Sequence, residues 1–120
     1  MALQRLCHSE ELLDGRQAVP FDVLYDRQPV RAFAVRHAGR VYAYLNRCTH
    51  VAMEMDWQPD RFFDDTGQWL LCASHGAAYA PDTGECVGGP CRGGLVAVPL
   101  TERDGVVYWR AEPPFERIEC

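Results

Sequence analysis

Cys48-Thr49-His50 and Cys72-Ala73-Ser74-His75 are the stretches of this sequence with the most chemistry in them. Each sets one thiol and one imidazole within a few residues of each other. Two thiolates and two neutral imidazoles are the donor set of a mixed-ligand iron–sulfur cluster, in which one iron takes two Cys and the other two His. In Cys-x-His the side chains stand two residues apart on one loop, so both can face the same way and each can reach a different iron. Cys-x-x-His does the same from a second loop, with Gly76 available for the tighter turn. Thiolates stabilise ferric iron and imidazoles ferrous iron. The added electron then belongs on the His-bound iron, and the centre moves single electrons. A structural zinc site also uses Cys and His, but zinc modules present Cys-x-x-Cys or His-x-x-x-His knuckles, and Cys-x-His is unusual in them.

Composition narrows the setting. The chain has 120 residues, 48% of them apolar. That suits one folded domain, residues 1–120, with a modest core. The net charge is −5, and all 12 basic residues are Arg. An acidic surface argues against nucleic acid, which demands a basic patch. The first residues, Met1 to Cys7, carry no long apolar run, so no signal peptide is expected. No apolar stretch approaches a membrane span. The expected setting is cytoplasmic, where thiols stay reduced. Six Cys in that setting point to metal before disulfides.

The elements that must position the two motifs read as short strands. Val19, Phe21, Val23 and Tyr25 alternate within Gln17–Tyr25, which marks a half-buried strand. Pro20 places it at an edge or a bulge. Val30–Val35, the turn His37-Ala38-Gly39-Arg40 and Val41–Leu45 form a hairpin. Gln68–Leu71 leads as a strand into Cys72, and Pro81-Asp82-Thr83-Gly84 is a turn. Leu95–Leu100 and Val106–Trp109 flank Asp104-Gly105, a strong hairpin signal. Only Ser9-Glu10-Glu11-Leu12-Leu13 looks helical, one turn capped by Ser9, and the Pro113-Pro114 tail reads as irregular. The expected fold is all-β, a small antiparallel sandwich with both ligand loops at one end.

These residues carry a family resemblance. Cys48-Thr49-His50 and Cys72-Ala73-Ser74-His75-Gly76, followed by Tyr79, Pro81-Asp82-Thr83-Gly84 and Gly88-Gly89-Pro90, resemble a Rieske [2Fe-2S] protein. The likeness runs from about Gln17 to Trp109. It implies that Cys48 and Cys72 bind the inner iron of one 2Fe-2S cluster. It implies that His50 and His75 bind the outer iron, that Tyr79 donates to a Cys sulfur, and that Gly89-Pro90 belongs to a covering loop. Rieske proteins of the respiratory and photosynthetic complexes join their cluster loops by a disulfide; Met53 and Ser74 stand at those positions here. Those proteins also aim a Ser hydroxyl at a bridging sulfide, where this chain has Ala77. Fewer hydrogen bonds to sulfur favour the oxidised cluster, so the expected potential lies in the lower part of the roughly −150 to +300 mV Rieske span.

The resemblance therefore implies a soluble, ferredoxin-type electron carrier without catalysis of its own. Its partners would be a flavoprotein reductase and a terminal oxygenase or another redox enzyme. An alternative is a Rieske-like small subunit of a reductase such as nitrite reductase, or a cluster-bearing regulatory protein. A Rieske oxygenase needs a second iron held by two His and a carboxylate, and only His8 and His37, which read as surface groups, remain for it.

Several residues stay outside that set. Cys86 and Cys91 read as small buried residues, with pairing or tuning of the cluster left open. Cys7 reads as core and Cys120 as an exposed thiol. Tyr42, Tyr44, Trp69, Tyr108 and Trp109 read as strand core. The 51–71 stretch between His50 and Cys72 is longer than the family norm. The extra length falls within Trp57–Gly67, as a surface excursion or as a docking face built on Trp57, Phe62 or Phe63.

Overall fold

The computed structural model describes residues 2–47, 55, 61–72, 76–89 and 93–118. Ten strands occur among them: β1 (Ala2–His8), β2 (Val19–Tyr25), β3 (Gln28–His37), β4 (Arg40–Leu45), β5 (Leu70–Leu71), β6 (Ala78–Tyr79), β7 (Cys86–Gly88), β8 (Leu100–Arg103), β9 (Val106–Ala111) and β10 (Phe115–Glu116). They form three antiparallel sheets, ordered β1-β9-β8, β10-β2-β3-β4 and β5-β6-β7.

Two-residue turns set three of the hairpin registers. Asp26-Arg27, Ala38-Gly39 and Asp104-Gly105 all have positive φ at both positions, the geometry whose twist matches a right-handed strand pair. Pro20 lies opposite Phe33 on β3, whereas β10 covers only Leu24 and Tyr25 of β2. The Pro20 end of β2 is thus an open edge, where a missing N–H costs no ladder bond.

The sheet β10-β2-β3-β4 is the middle layer. Alternation along β3 sends Phe33 and Val35 into one core and Ala32 and Ala34 into the other, all of them buried. The Ala face packs with Cys7, Val107, Trp109 and Phe115. The Phe33 face packs with Tyr44, Met55, Phe62, Leu70, Cys72, Ala77 and Tyr79. That second core carries the β5-β6-β7 sheet and Cys72.

Several expectations change. The single turn at Ser9–Glu11 is a 3-10 turn with His8 in the capping position, its N–H donating to Glu11 Oε2 at 2.7 Å, so Ser9 is not the cap. Residues 95–99 run beside β4 through Leu45 N–H to Val96 O and Val98 N–H to Ala43 O, and the strand proper starts only at Leu100. The tail is ordered: after a cis Pro113-Pro114 bond, Phe115 is buried and pairs with Tyr25. Trp69 is 42% exposed and is not core, while Tyr44 and Trp109 are buried.

In the long segment before Cys72, Phe62 and Phe63 form no docking face, while Asp65, Thr66 and Gln68 after them lie at the surface. Phe62 and Phe63 are buried, at 1% and 7% exposure. Phe62 stacks on Phe33 with ring centroids 3.8 Å apart, and Phe63 lies against the His37 ring. Large aromatic area buried this way outweighs the cost of ordering a longer connection. Trp57 lies outside the described residues. Asp64 closes the following turn, its Oδ1 accepting from the Thr66 hydroxyl at 2.8 Å and the Gln68 N–H at 3.2 Å.

Arg36 ties the middle sheet to the β1-β9-β8 sheet and the segment after β1. Its Nε donates to Leu12 O, its Nη1 to Gly39 O, and its Nη1 and Nη2 to the Glu102 carboxylate on β8. The bond from Arg36 holds the Glu102 pKa below its ordinary value. A carboxylate whose pKa drops on folding stabilises fully above its unfolded value, about 4.5, and loses that contribution as pH falls through the lower folded value. Glu102→Gln should therefore cost about 1 kcal/mol at neutral pH. In urea unfolding, the gap from wild type should close as the pH drops below 4.5. A gap that stays constant down to strongly acidic pH would show that the ion pair contributes nothing.

Candidate metal centre

Cys72 leaves β5 into a turn that returns at β6. Its N–H donates to Ala77 O at 2.8 Å, and the Gly76 N–H donates back to Cys72 O at 2.9 Å. Gly76 has φ +71°, which the tight return requires. The Cys72 side chain is 1% exposed, and the residue is not disulfide-bonded. A buried thiol at the head of a backbone-locked turn fits a metal-bound thiolate, because the turn fixes the direction of the Cα–Cβ bond before any metal arrives.

The Gly88-Gly89 segment closes over this turn. A Cβ on Gly89 would stand 2.8 Å from Ala77 Cα and 2.9 Å from Gly76 O, and Gly89 has φ +80°. Only glycine permits that backbone-to-backbone approach. Ala77 is fully buried, so the expected absence of a hydroxyl there is an absence inside the core. Tyr79, on β6, is also fully buried. Behind it, the Tyr44 hydroxyl donates to Pro81 O at 2.7 Å and pins the 81–84 turn to the middle sheet. Burial pushes the Tyr44 phenol far above its ordinary pKa, so it stays protonated as a donor.

Of the proposed ligands, Cys72 is described; Cys48, His50 and His75 lie outside the described residues, as do Pro90, Met53 and Ser74. Cys91 and Cys120 also lie outside them. The remaining thiols separate by environment. Cys7 is buried in the opposite core, and desolvation pushes its pKa up to about 11, which keeps it a protonated, inert thiol. Cys86 is half-buried and disulfide-bonded, not simply a small buried side chain. Its Sγ lies 3.8 Å from Gly88 O, a packing contact, since a disulfide sulfur has no proton to donate.

His8 pairs with Arg5 on the β1 face, and His37 lies against Phe63. No group of three or more His, Cys, Asp or Glu able to hold a metal occurs among the described residues. A groove among those residues runs between Leu13–Gln17, His37-Ala38 and Arg61–Gln68 and contains none of the four ligand positions.

The sequence that forms this turn and its glycine cover also matches a known family model. The model of the Rieske [2Fe-2S] domain covers residues 2–100. The chain belongs to the Rieske [2Fe-2S] domain family. Its cofactor is accordingly a [2Fe-2S] cluster, and the donor chemistry of the Cys72 turn fits one. No curated protein matches the sequence. Solved structures share the Rieske fold. The ferredoxin of carbazole 1,9a-dioxygenase from Nocardioides aromaticivorans IC177 aligns with TM-score 0.71 at 22% identity, over 91% of this chain and 97% of that one. The Sphingomonas yanoikuyae B1 ferredoxin aligns with TM-score 0.64 at 24% identity, over 88% and 95%. The terminal oxygenase of carbazole 1,9a-dioxygenase from Nocardioides aromaticivorans IC177 aligns with TM-score 0.66 at 20% identity, over 89% of this chain and 29% of that one. At these identities the likeness establishes the fold. Among the described residues no helix is long and apolar enough to cross a membrane.

Proposed function

We propose that this Rieske domain is a ferredoxin-type electron carrier, with Cys48 and Cys72 on one iron and His50 and His75 on the other. It accepts single electrons from a flavoprotein reductase and delivers them to a terminal oxygenase or a similar redox enzyme. In this reading it works in the cytoplasm and catalyses no bond chemistry itself. The observation that carries the reading is the buried Cys72 thiol on its locked turn within a family-wide Rieske match. The extent of the likeness supports the carrier role: the chain spans 97% of one ferredoxin and 29% of an oxygenase chain.

When bound, the cluster supplies one reversible electron. The chain's own residues do the rest. The Cys72 turn fixes a thiolate, Gly89 brings a neutral backbone over Gly76-Ala77, and the β5-β6-β7 sheet buries the inner side of the site. Tyr79→Phe should retain the cluster and lower its midpoint potential, because a lost donor to sulfur favours the oxidised state. An unchanged or raised midpoint would exclude Tyr79 as that donor.

The carrier reading is tested by spectroelectrochemistry followed by rapid mixing. The expected result is a reversible one-electron wave, with the protein reduced by a flavoprotein reductase and reoxidised by an oxygenase. A wave that is absent, or a reduced protein that no redox enzyme reoxidises, would contradict it.

A further inference from the structure

We propose that Asn46 is the positioning residue of the first ligand loop, a buried amide that closes the loop carrying Cys48 and His50. The proposal rests on the assignment of those two residues as ligands. Asn46 is 5% exposed, a buried side-chain amide among otherwise apolar and aromatic core residues. It stands where the chain leaves β4. Its backbone N–H donates to Arg31 O at 2.8 Å, and the Arg47 N–H turns back onto Leu45 O at 2.9 Å. The departure of the loop is thus fixed to the middle sheet.

The Asn46 side chain reaches across to the other end. Its Oδ1 accepts the Met55 N–H at 2.6 Å in a buried bond. Met55 is fully buried and lies in the same core as Cys72, Ala77 and Tyr79. One amide therefore joins the exit of the first loop to its return beside the second ligand turn. A buried Asn ordinarily satisfies a core backbone group and does no more. Here the bond ties together the two ends of the segment that includes Cys48 and His50, and its far end, Met55, packs in the core that holds Cys72. The residue type follows: an aliphatic side chain would leave the Met55 N–H unpaired, and a carboxylate would bring a charge into the core.

Three holoproteins test this: wild type, Asn46→Ala and Asn46→Asp. Each is read for iron loss to a chelator, for the EPR spectrum after reduction, and for midpoint potential. Asn46→Ala should lose iron about tenfold faster, the shift expected when a buried N–H loses its acceptor, with broadened EPR lines. Asn46→Asp keeps the acceptor but buries a charge, so it should lose iron faster than wild type yet more slowly than Asn46→Ala, with a lower midpoint from its added charge. Wild-type retention and line shape in Asn46→Ala would overturn the proposal. So would an Asn46→Asp protein that loses iron as fast as the Ala variant.

If Asn46→Ala does not fold, hydrogen exchange on wild type decides. A protected Met55 amide supports the clamp, and one exchanging like an open loop overturns it. A wild-type chain that keeps this amide protected yet takes up no iron or sulfide would overturn the ligand assignment. The claim that the clamp serves a cluster would fall with it.

Discussion

Cys72→Ala should give a folded chain that holds no cluster. Cys72 lies in the core and its backbone bonds to Ala77 and Gly76 do not involve the thiol. The turn itself therefore survives the substitution. Removing one buried sulfur should cost about 1 kcal/mol of apoprotein stability, the scale of a small core truncation. The metal centre has no such tolerance, because an iron without its thiolate is left with an open position in a site shaped for a closed one. Iron and sulfide should fall to background while the far-ultraviolet circular dichroism keeps its β signature. Full iron and sulfide in the variant would remove Cys72 from the ligand set.

Gly89→Ala should loosen the site almost as severely, whereas Gly88→Ala should not. The two glycines are adjacent, and their surroundings differ. A Cβ at Gly89 meets backbone atoms at 2.8 and 2.9 Å, and φ is +80°. The left-handed conformation alone costs about 1–2 kcal/mol for a residue with a Cβ. The contacted atoms belong to the Cys72–Ala77 turn, so relief requires the 88–89 segment to lift away. A Cβ at Gly88 meets nothing within 4 Å, and trimming the unfolded chain's freedom there is neutral or mildly stabilising. Iron release should speed up by about tenfold in Gly89→Ala and stay at the wild-type rate in Gly88→Ala. Equal release rates in the two variants would show that the glycine cover does not protect the centre.

What could be read from the sequence and what could not divide along a physical line. The family was legible because its motif chemistry is local: a thiol and an imidazole two or three residues apart need no knowledge of the fold. Ala38-Gly39 and Asp104-Gly105 were legible as hairpin turns because Gly marks positive φ. Asp26-Arg27 forms the same kind of turn without Gly, so nothing local announces it. Phe62 and Phe63 sit in too short a segment to show periodicity, and Phe62 finds its partner, Phe33, far along the chain. The strand signal at Leu95–Leu100 was sound as a pattern, but residues 95–99 join β4 through isolated bonds before β8 begins. Asn46 and Gly89 matter through approaches across space, to Met55 and to Ala77. The only hint of Asn46 in the sequence is an amide placed directly after the apolar run Val41–Leu45.

One [2Fe-2S] cluster held by Cys48, Cys72, His50 and His75 is the central claim. EPR of the dithionite-reduced protein, taken with iron and sulfide analysis, tests it most directly. The account predicts equal iron and sulfide, enough for one cluster per chain, with an average g value below that of all-Cys clusters. An average g at the all-Cys value, or a protein that holds zinc and no sulfide, would contradict it.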